Sequence, residues 1–141
     1  MIYSRLNQSL LNSVFIGNSA DYNMYNGANG RALYSQQGDI SLTNCYIGNS
    51  VATGDGGAVY TTQNVTITDT TIINSASKSG SGGAIYGLNV KITNSALSNN
   101  VANGNGGAIY AVQNIAIVDS TFSNSTASIQ EVVVQCSVEM T

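Results

Sequence analysis

One phrase recurs along this chain at a nearly constant interval. Gly-Gly-Ala, an aliphatic residue and tyrosine end together at Tyr60, Tyr86 and Tyr110, and a weaker copy, Gly-Arg-Ala-Leu-Tyr, ends at Tyr34. These tyrosines are 26, 26 and 24 residues apart. A period of this length is typical of solenoids, in which each repeat is one small unit that stacks on its neighbours. The repeat therefore constrains the fold more strongly than any other feature of the sequence.

A second landmark follows each tyrosine after 11 or 12 positions, and it extends the pattern back to Tyr3. The tyrosine and bulky residue pairs are Tyr3 and Phe15, Tyr34 and Tyr46, Tyr60 and Ile72, Tyr86 and Leu97, and Tyr110 and Phe122. Alternating runs such as Val65-Thr66-Ile67 lie between the two landmarks and indicate half-buried strands. Polar pairs such as Asp69-Thr70 follow these runs and favour corners, because their side chains bond the local backbone.

This pattern predicts an all-β fold, a right-handed parallel β-helix of about five three-stranded rungs with about 25 residues each. Parallel strands of successive rungs stack about 4.8 Å apart around a shared core. We predict a right-handed coil because crossovers between parallel strands are right-handed in about 98% of cases. We assign residues 1–128 to the repeats, and we expect residues 129–141 to form a tail with a capping strand.

Strand alternation predicts two surface features. If Val59 faces inward, Ala58 and Tyr60 face outward, with the opposite phase as the alternative. In the first case an exposed aromatic stripe forms from Tyr34, Tyr60, Tyr86 and Tyr110. A polar residue also follows each bulky residue by three positions, which predicts a structural ladder of side chains bonded between neighbouring rungs. Its predicted members are Asn18, Asn49, Ser75, Asn100 and Ser125.

Composition excludes several classes of partner. Charged residues make up 8% of the chain, the net charge is −3, and the four basic residues form no cluster, so we expect no nucleic-acid partner. No run approaches the roughly 18 apolar residues of a membrane span. Met1 leads directly into the repeat, so no signal peptide is predicted. Cys45 and Cys136 occupy different positions of the repeat, and we expect two free thiols.

Acidic residues give two weak candidates for chemistry. Asp69 and Asp119 share a column about 10 Å apart, a separation that a pair of glycosidase carboxylates can use. Asn94 lies between them, however, which favours a turn role, and the chain has no His to act as a base. Asp55 lies in a Gly-rich loop, but Ser81 and Asn105 replace it in later repeats, so a calcium site is not expected. We therefore predict no catalytic residue, metal or cofactor.

Two motifs alternate at fixed distance along residues 1–128. The first, Gly-Gly-Ala-Ile, is intact at Gly82–Ile85 and Gly106–Ile109, and the second, Phe-x-x-Asn, is intact at Phe15–Asn18. This combination resembles the repeats of the polymorphic outer-membrane proteins of chlamydiae and of adhesin-like surface proteins of other microbes. The resemblance implies a β-helical module located extracellularly or at the cell surface. It also implies adhesion to surface molecules or glycans of a host or neighbouring cell.

Three functions remain in order of preference. The first is a non-enzymatic extracellular adhesin-like module that binds through its long faces. The second is a structural protein that self-associates through its solenoid ends into filaments, because uncapped ends expose unpaired strands. The apolar, β-prone run Glu131–Val138 agrees with this alternative. The third is a polysaccharide-cleaving β-helix enzyme.

Overall fold

A computed structural model describes residues 1–19 and 29–128, together with the backbone of residues 136–137. These residues form a parallel β-solenoid of about four turns, and no helix occurs among them. The predicted all-β solenoid is therefore confirmed, while its hand stays a prediction. Of the predicted tail, only residues 136–137 are described, and the rest of residues 129–141 lies outside the described part of the chain.

The strands are short because an Asn, Asp or Gly corner interrupts the chain every few residues. In chain order they are β1 (Ile2–Ser4), β2 (Gln8–Leu11), β3 (Val14–Ile16), β4 (Leu33–Ser35), β5 (Ile40–Thr43), β6 (Tyr46–Gly48), β7 (Val51–Ala52), β8 (Val59–Thr61), β9 (Val65–Thr68), β10 (Thr71–Ile73), β11 (Ala76–Ser77), β12 (Ile85–Thr93), β13 (Ala96–Ser98), β14 (Val101–Ala102), β15 (Ile109–Val118), β16 (Thr121–Ser123), β17 (Thr126–Ala127) and β18 (Cys136–Ser137).

These strands form three parallel sheets. The first has the order β1-β4-β8-β12-β9-β5-β2, with β15 beside β12 and β18 beside β15. The second has the order β16-β13-β10-β6-β3, and the third has the order β17-β14-β11-β7. Two segments of each turn belong to the first sheet, and they are fused in β12, which pairs with both β8 and β9. The five strands of the second sheet correspond to the five predicted rungs.

One hydrophobic core runs the length of the solenoid. Its largest fully buried side chains are Leu33, Ile40, Leu42, Ile47, Val59, Val65, Ile67, Ile72, Ile85, Val90, Ile92 and Leu97. Like side chains stack in columns, so that Ile67 lies between Leu42 and Ile92. Burying each such side chain contributes about 1.5–3 kcal/mol. Phe122, predicted to face inward, is 37% exposed because its strand β16 is the terminal strand of the second sheet.

The register corrects the predicted alignment of the second turn by one residue. Phe15 lies opposite Ile47, and Ile47 lies opposite Ile72, so Tyr46 is not a member of this column. Tyr46 instead lies opposite Val14. Because side chains alternate between the two faces of a strand, a slip of one residue exchanges core and surface. Ile47 is fully buried, whereas Tyr46 is only partly buried.

The glycine pair explains a second difference. Ala58 was predicted to face outward, but it is fully buried, because β8 begins at Val59 and alternation does not extend into the preceding turn. Gly56 has a φ of 62°, a conformation that glycine adopts without strain. Gly57 serves a different purpose, since a Cβ there would lie 2.1 Å from the carbonyl oxygen of Gly83. The first glycine turns the chain, and the second lets successive turns approach closely.

Candidate binding face

Five tyrosines form a continuous stack along the outside of the first sheet, which we call the tyrosine ridge. Pairing of β1, β4, β8, β12 and β15 holds in register Tyr3, Tyr34, Tyr60, Tyr86 and Tyr110. Successive ring centroids are 5.0–5.2 Å apart, and the ring planes differ by 7–21°. Val59 and Thr61 on either side of Tyr60 are fully buried, so the ring lies on the outer face. The ridge contains the four tyrosines of the predicted stripe and adds Tyr3.

Because the rings stack on one another, only part of each tyrosine is accessible to a partner. Each inner ring is covered on both faces by its neighbours, so ring edges and hydroxyl groups are the parts that a partner can contact. The Tyr60 hydroxyl also forms a hydrogen bond with the Asn29 side chain. Burial raises the pKa of the Tyr34, Tyr60 and Tyr86 hydroxyls, and neighbouring tyrosines act in the same direction. The Asp55 carboxylate also raises the pKa of Tyr60 and Tyr86. These phenols are therefore neutral at physiological pH and able to donate hydrogen bonds.

The polar column three residues after each inward bulky residue has one member that differs from the prediction. Its residues are Asn18, Ser50, Ser75, Asn100 and Ser125, with Ser50 in the place predicted for Asn49. The Ser75 N–H donates to Asn100 Oδ1 at 3.0 Å, and the Asn100 N–H donates to Ser125 Oγ at 3.3 Å. Asn100 Nδ2 reaches inward to the carbonyl oxygen of Ile72 at 3.4 Å. These contacts tie neighbouring turns together.

Asn49 belongs instead to an adjacent column whose backbone is left-handed. The positive φ values in this column belong to Gly17, Asn49, Asn74, Asn99 and Asn124. Asparagine adopts this conformation more readily than most residues, because its short side chain can bond locally. Asn74 Nδ2 donates to Asn49 Oδ1 at 3.1 Å, so the side chains also connect successive turns. This column has a structural role at the corner that ends each strand of the second sheet.

Another column of residues with positive φ contains the candidate acids Asp69 and Asp119. Its members are Asn12, Asn44, Asp69, Asn94 and Asp119. Asn94 Nδ2 donates to Asp69 Oδ1 at 2.6 Å, and Asn44 Nδ2 donates to Asn12 Oδ1 at 2.7 Å. An open groove of about 310 Å³ runs along this corner, lined by Asp69, Asn94 and Asp119 together with Thr70, Thr71, Ser95, Ala96 and Thr121. The backbone conformation and the amide contact account for Asp69 as a corner residue.

Asp55, the residue considered for a calcium site, lies in the loop before the glycine pair. Its N–H donates to Asn29 Oδ1 at 2.7 Å, and its own Oδ1 accepts the Ser81 N–H at 2.7 Å. The Asn105 N–H continues the series to Ser81 Oγ at 3.1 Å. The Asp55 carboxylate thus connects two turns. Among the described residues, no group of three His, Cys, Asp or Glu side chains lies where it could hold a metal ion.

Cys45 is buried and free, in a column otherwise occupied by hydroxyl residues. Its N–H donates to Thr70 Oγ1 at 3.1 Å, as the Thr70 N–H does to Ser95 Oγ. Its Sγ lies 3.3 Å from the Thr43 carbonyl oxygen, which matches the contact that Thr70 Oγ1 makes with Thr68 O. The counterpart of the corner pair Asp69-Thr70 in this turn is Asn44-Cys45, and its second residue lacks the hydroxyl group that marks these pairs in the sequence. The Cys136 side chain lies outside the described part of the chain.

The fold and this face define a parallel β-solenoid with an exposed aromatic ridge, and part of one repeat is similar to a known repeat family. The family model of the Chlamydia polymorphic membrane protein repeat matches residues 94–112. The matched stretch contains Gly106–Ile109, an intact copy of the first motif, and Leu97–Asn100, in which Leu replaces the Phe of the second motif. The match supports the resemblance to the chlamydial polymorphic membrane protein family. At the level of the family, it fits an adhesin-like protein associated with a surface.

Searches of curated proteins and of solved structures found no match. Within the described ranges, no helix has the length and apolar character needed to span a membrane.

Proposed function

We propose that this protein is a non-enzymatic, adhesin-like surface module that binds a host or neighbouring-cell surface molecule or glycan through its long faces. The observation that carries the proposal is the tyrosine ridge, a row of five stacked rings along one face. The matched repeat family supports the same class of function. The ridge follows the solenoid axis, so a partner that lies along the rod can contact every turn.

The ridge has physical properties that favour binding. Tyrosine combines a large apolar ring with a polar hydroxyl, and it is enriched at interfaces and at their energetic hot spots. Stacking between Tyr34 and Tyr86 fixes the intermediate ring before a partner arrives, so little side-chain freedom is lost on binding. Rings repeated every 5.0–5.2 Å, each carrying a hydroxyl group, suit an extended polymer with many hydrogen-bonding groups. An extended glycan has this chemistry.

A glycan-array screen followed by affinity measurements tests the proposal. We expect the double variant Tyr60→Ala/Tyr86→Ala to bind a glycan found in the screen at least about tenfold more weakly, which corresponds to about 1.4 kcal/mol. Thr66→Ala/Lys91→Ala changes the neighbouring outward column of the same sheet and is the matched control. Unchanged affinity in a folded double tyrosine variant would remove the ridge from the binding face.

The enzymatic alternative has a separate test in a reducing-sugar release assay with the same glycans. We expect no release by the unmodified protein. Release that is lost in Asp69→Asn would overturn the non-enzymatic function, because Asn keeps the corner conformation while removing the carboxylate.

A further inference from the structure

We propose that Asp55 forms a charged subsite beside the middle of the tyrosine ridge, and that this subsite selects glycans with free amino groups over acetylated or acidic glycans. The subsite consists of the Asp55 carboxylate together with the hydroxyl groups of Tyr60 and Tyr86. This selectivity rests on the proposed binding of a glycan by the ridge, and it names the chemistry of that glycan.

The repeat places Asp55 next to the ridge. Asp55 lies five positions before Tyr60, and the same interval separates Asn29 from Tyr34, Ser81 from Tyr86 and Asn105 from Tyr110. The Asp55 N–H donates to Asn29 Oδ1 at 2.7 Å, and the Asn29 side chain also forms a hydrogen bond with the Tyr60 hydroxyl. Asn29 therefore connects Asp55 to the ridge, and this loop column runs beside the tyrosines.

The structural role of the loop column requires an oxygen atom but no charge. Asn29 Oδ1, Asp55 Oδ1 and Ser81 Oγ each accept the N–H of the column residue in the next turn, at 2.7–3.1 Å. An amide or a hydroxyl oxygen makes this contact as well as a carboxylate does. Asp55 is the one charged residue of the four, in a chain with only 8% charged residues. Its negative charge is therefore left without a structural function.

The charge of Asp55 acts on the middle of the ridge. Burial raises the pKa of the Tyr60 and Tyr86 hydroxyls, and the Asp55 carboxylate raises both further. The pKa of Tyr34 is raised by burial and by Tyr3 instead. Because Asp55 Oδ1 accepts the Ser81 N–H, the carboxylate lies between the turns that carry Tyr60 and Tyr86. Asp55 is only partly buried, so a partner on the ridge can approach it.

A protonated amine fits these groups better than the other common substituents of a sugar. The faces of the inner rings are covered by stacking, and ring edges carry the positive part of the aromatic quadrupole, so the rings themselves do not attract a cation. An ammonium group can donate one hydrogen bond to the Asp55 carboxylate and others to the tyrosine hydroxyl oxygens. Acetylation removes this charge, and an acidic sugar would bring a like charge to Asp55, which weakens binding.

Affinity measurements with three oligosaccharides of equal length test the proposal. The probes are an oligomer of glucosamine with free amines, its N-acetylated counterpart and an oligomer of a uronic acid, in mildly acidic buffer that keeps the amines protonated. We expect the unmodified protein to bind the free-amine oligomer at least about tenfold more tightly than the acetylated one, and the uronic acid oligomer most weakly. Added salt should reduce the preference, because it screens exposed charges.

Asp55→Asn removes the charge and retains an oxygen acceptor for the Ser81 N–H. Asparagine already occupies the same column at Asn29 and Asn105, so we expect this variant to fold, which circular dichroism establishes. Its preference for the free-amine oligomer should fall to about twofold or less, while its affinity for the acetylated oligomer should stay unchanged. Asp69→Asn is the matched control, because it removes a carboxylate from the corner between the first and second sheets. It should retain the full preference.

Two outcomes would overturn the proposal. One is equal affinity of the unmodified protein for the free-amine and acetylated oligomers, and the other is a preference that persists in folded Asp55→Asn. Binding of other glycans that is lost in Tyr60→Ala/Tyr86→Ala, without a preference for amines, would refute the Asp55 subsite and leave the ridge as the binding face. An amine preference that needs Asp55 but is unaffected by Tyr60→Ala/Tyr86→Ala would contradict the ridge instead.

Discussion

Asparagine and aspartate occupy two of the corners that recur along this solenoid. Asn44, Asp69, Asn94 and Asp119 are spaced by 25 residues, and all adopt positive φ. The spacing from Asn49 to Asn74, Asn99 and Asn124 is also 25. At these positions the side chain tolerates the left-handed backbone and can bond the next turn. The regular interval is therefore a consequence of backbone geometry at two corners.

Gly17 is the exception in its column, and it leads to a prediction of stabilisation. Gly17 has a φ of 67°, and no atom lies within 4 Å of a Cβ placed there. Gly17→Asn introduces the residue found at the other four turns, and it provides an acceptor for the Asn49 amide. We expect the free energy of unfolding to rise by up to about 1 kcal/mol, from one hydrogen bond and lower entropy of the unfolded chain. Thermal melting measures the change.

Gly17→Ala is the control, because it lowers the unfolded-state entropy without adding an amide and is strained at positive φ. A melting temperature of Gly17→Asn at or below that of Gly17→Ala would contradict the proposed role of the asparagine side chain.

The error at Tyr46 shows what sequence alone could and could not provide. Bulk alone cannot distinguish Tyr46 from Ile47, since both are large and adjacent, and the choice of Tyr46 moved Asn49 into the wrong column. The 25-residue interval from Asn44 to Asp69 was present in the sequence and would have given the correct register. The burial of Ala58, in contrast, could not be derived from residue spacing, because it depends on where β8 begins. Alternation predicts orientation only inside a strand.

At the scale of elements, the two segments of the first sheet explain the irregular spacing of the tyrosines. Four positions separate Tyr86 from Val90 in β12, but five separate Tyr110 from Ile115 in β15. The register of β12 against β15 shifts between Gly87 and Asn89 to absorb this difference. Length therefore varies at the bend between the segments, while the columns on both sides stay aligned. The sequence predicted the stack of tyrosines, whereas the bend is evident only from the pairing.

The tyrosine ridge predicts a loss of stability at alkaline pH. Burial raises the folded-state pKa of Tyr34, Tyr60 and Tyr86 above the unfolded value of about 10. Above this value the unfolded state releases protons that the folded state retains, so unfolding becomes more favourable. The contribution is thus fully present below about pH 10 and decreases as pH rises through the folded pKa. Urea denaturation from pH 8 to 11 measures the decrease.

Tyr60→Phe/Tyr86→Phe retains the stacked rings and removes two ionising groups, so its stability should decrease less over the same range. An equal decrease in both proteins would show that other groups cause the alkaline effect.

At the scale of the whole molecule, the solenoid behaves as a stack of nearly equivalent turns, each in contact with its neighbours. Deletion of residues 73–97 removes 25 residues and joins Ile72 to Ser98, the partner of Ile73 in the adjacent strand. All columns remain in register, so we expect a folded β-solenoid that is one turn shorter and less stable. Circular dichroism and thermal melting test this expectation.

Deletion of residues 73–96 removes one residue fewer and joins Ile72 to Leu97, which shifts the following strand by one position. Because such a slip exchanges inward and outward side chains, this variant should melt at a clearly lower temperature. Equal stability of the two deletions would argue against the register of the columns.

The chain between Ser19 and Gly30 is longer than the corresponding segment of the next turn. Ser19 pairs with Val51, and Gly30 has the same left-handed conformation as Gly56. Gly30 lies eleven positions after Ser19, whereas Gly56 lies five positions after Val51. The chain between these flanking residues is therefore six positions longer than its counterpart in the next turn, and the strands before and after it keep their places. It is a natural site for peptide display, where a foreign epitope can be carried without altering the core.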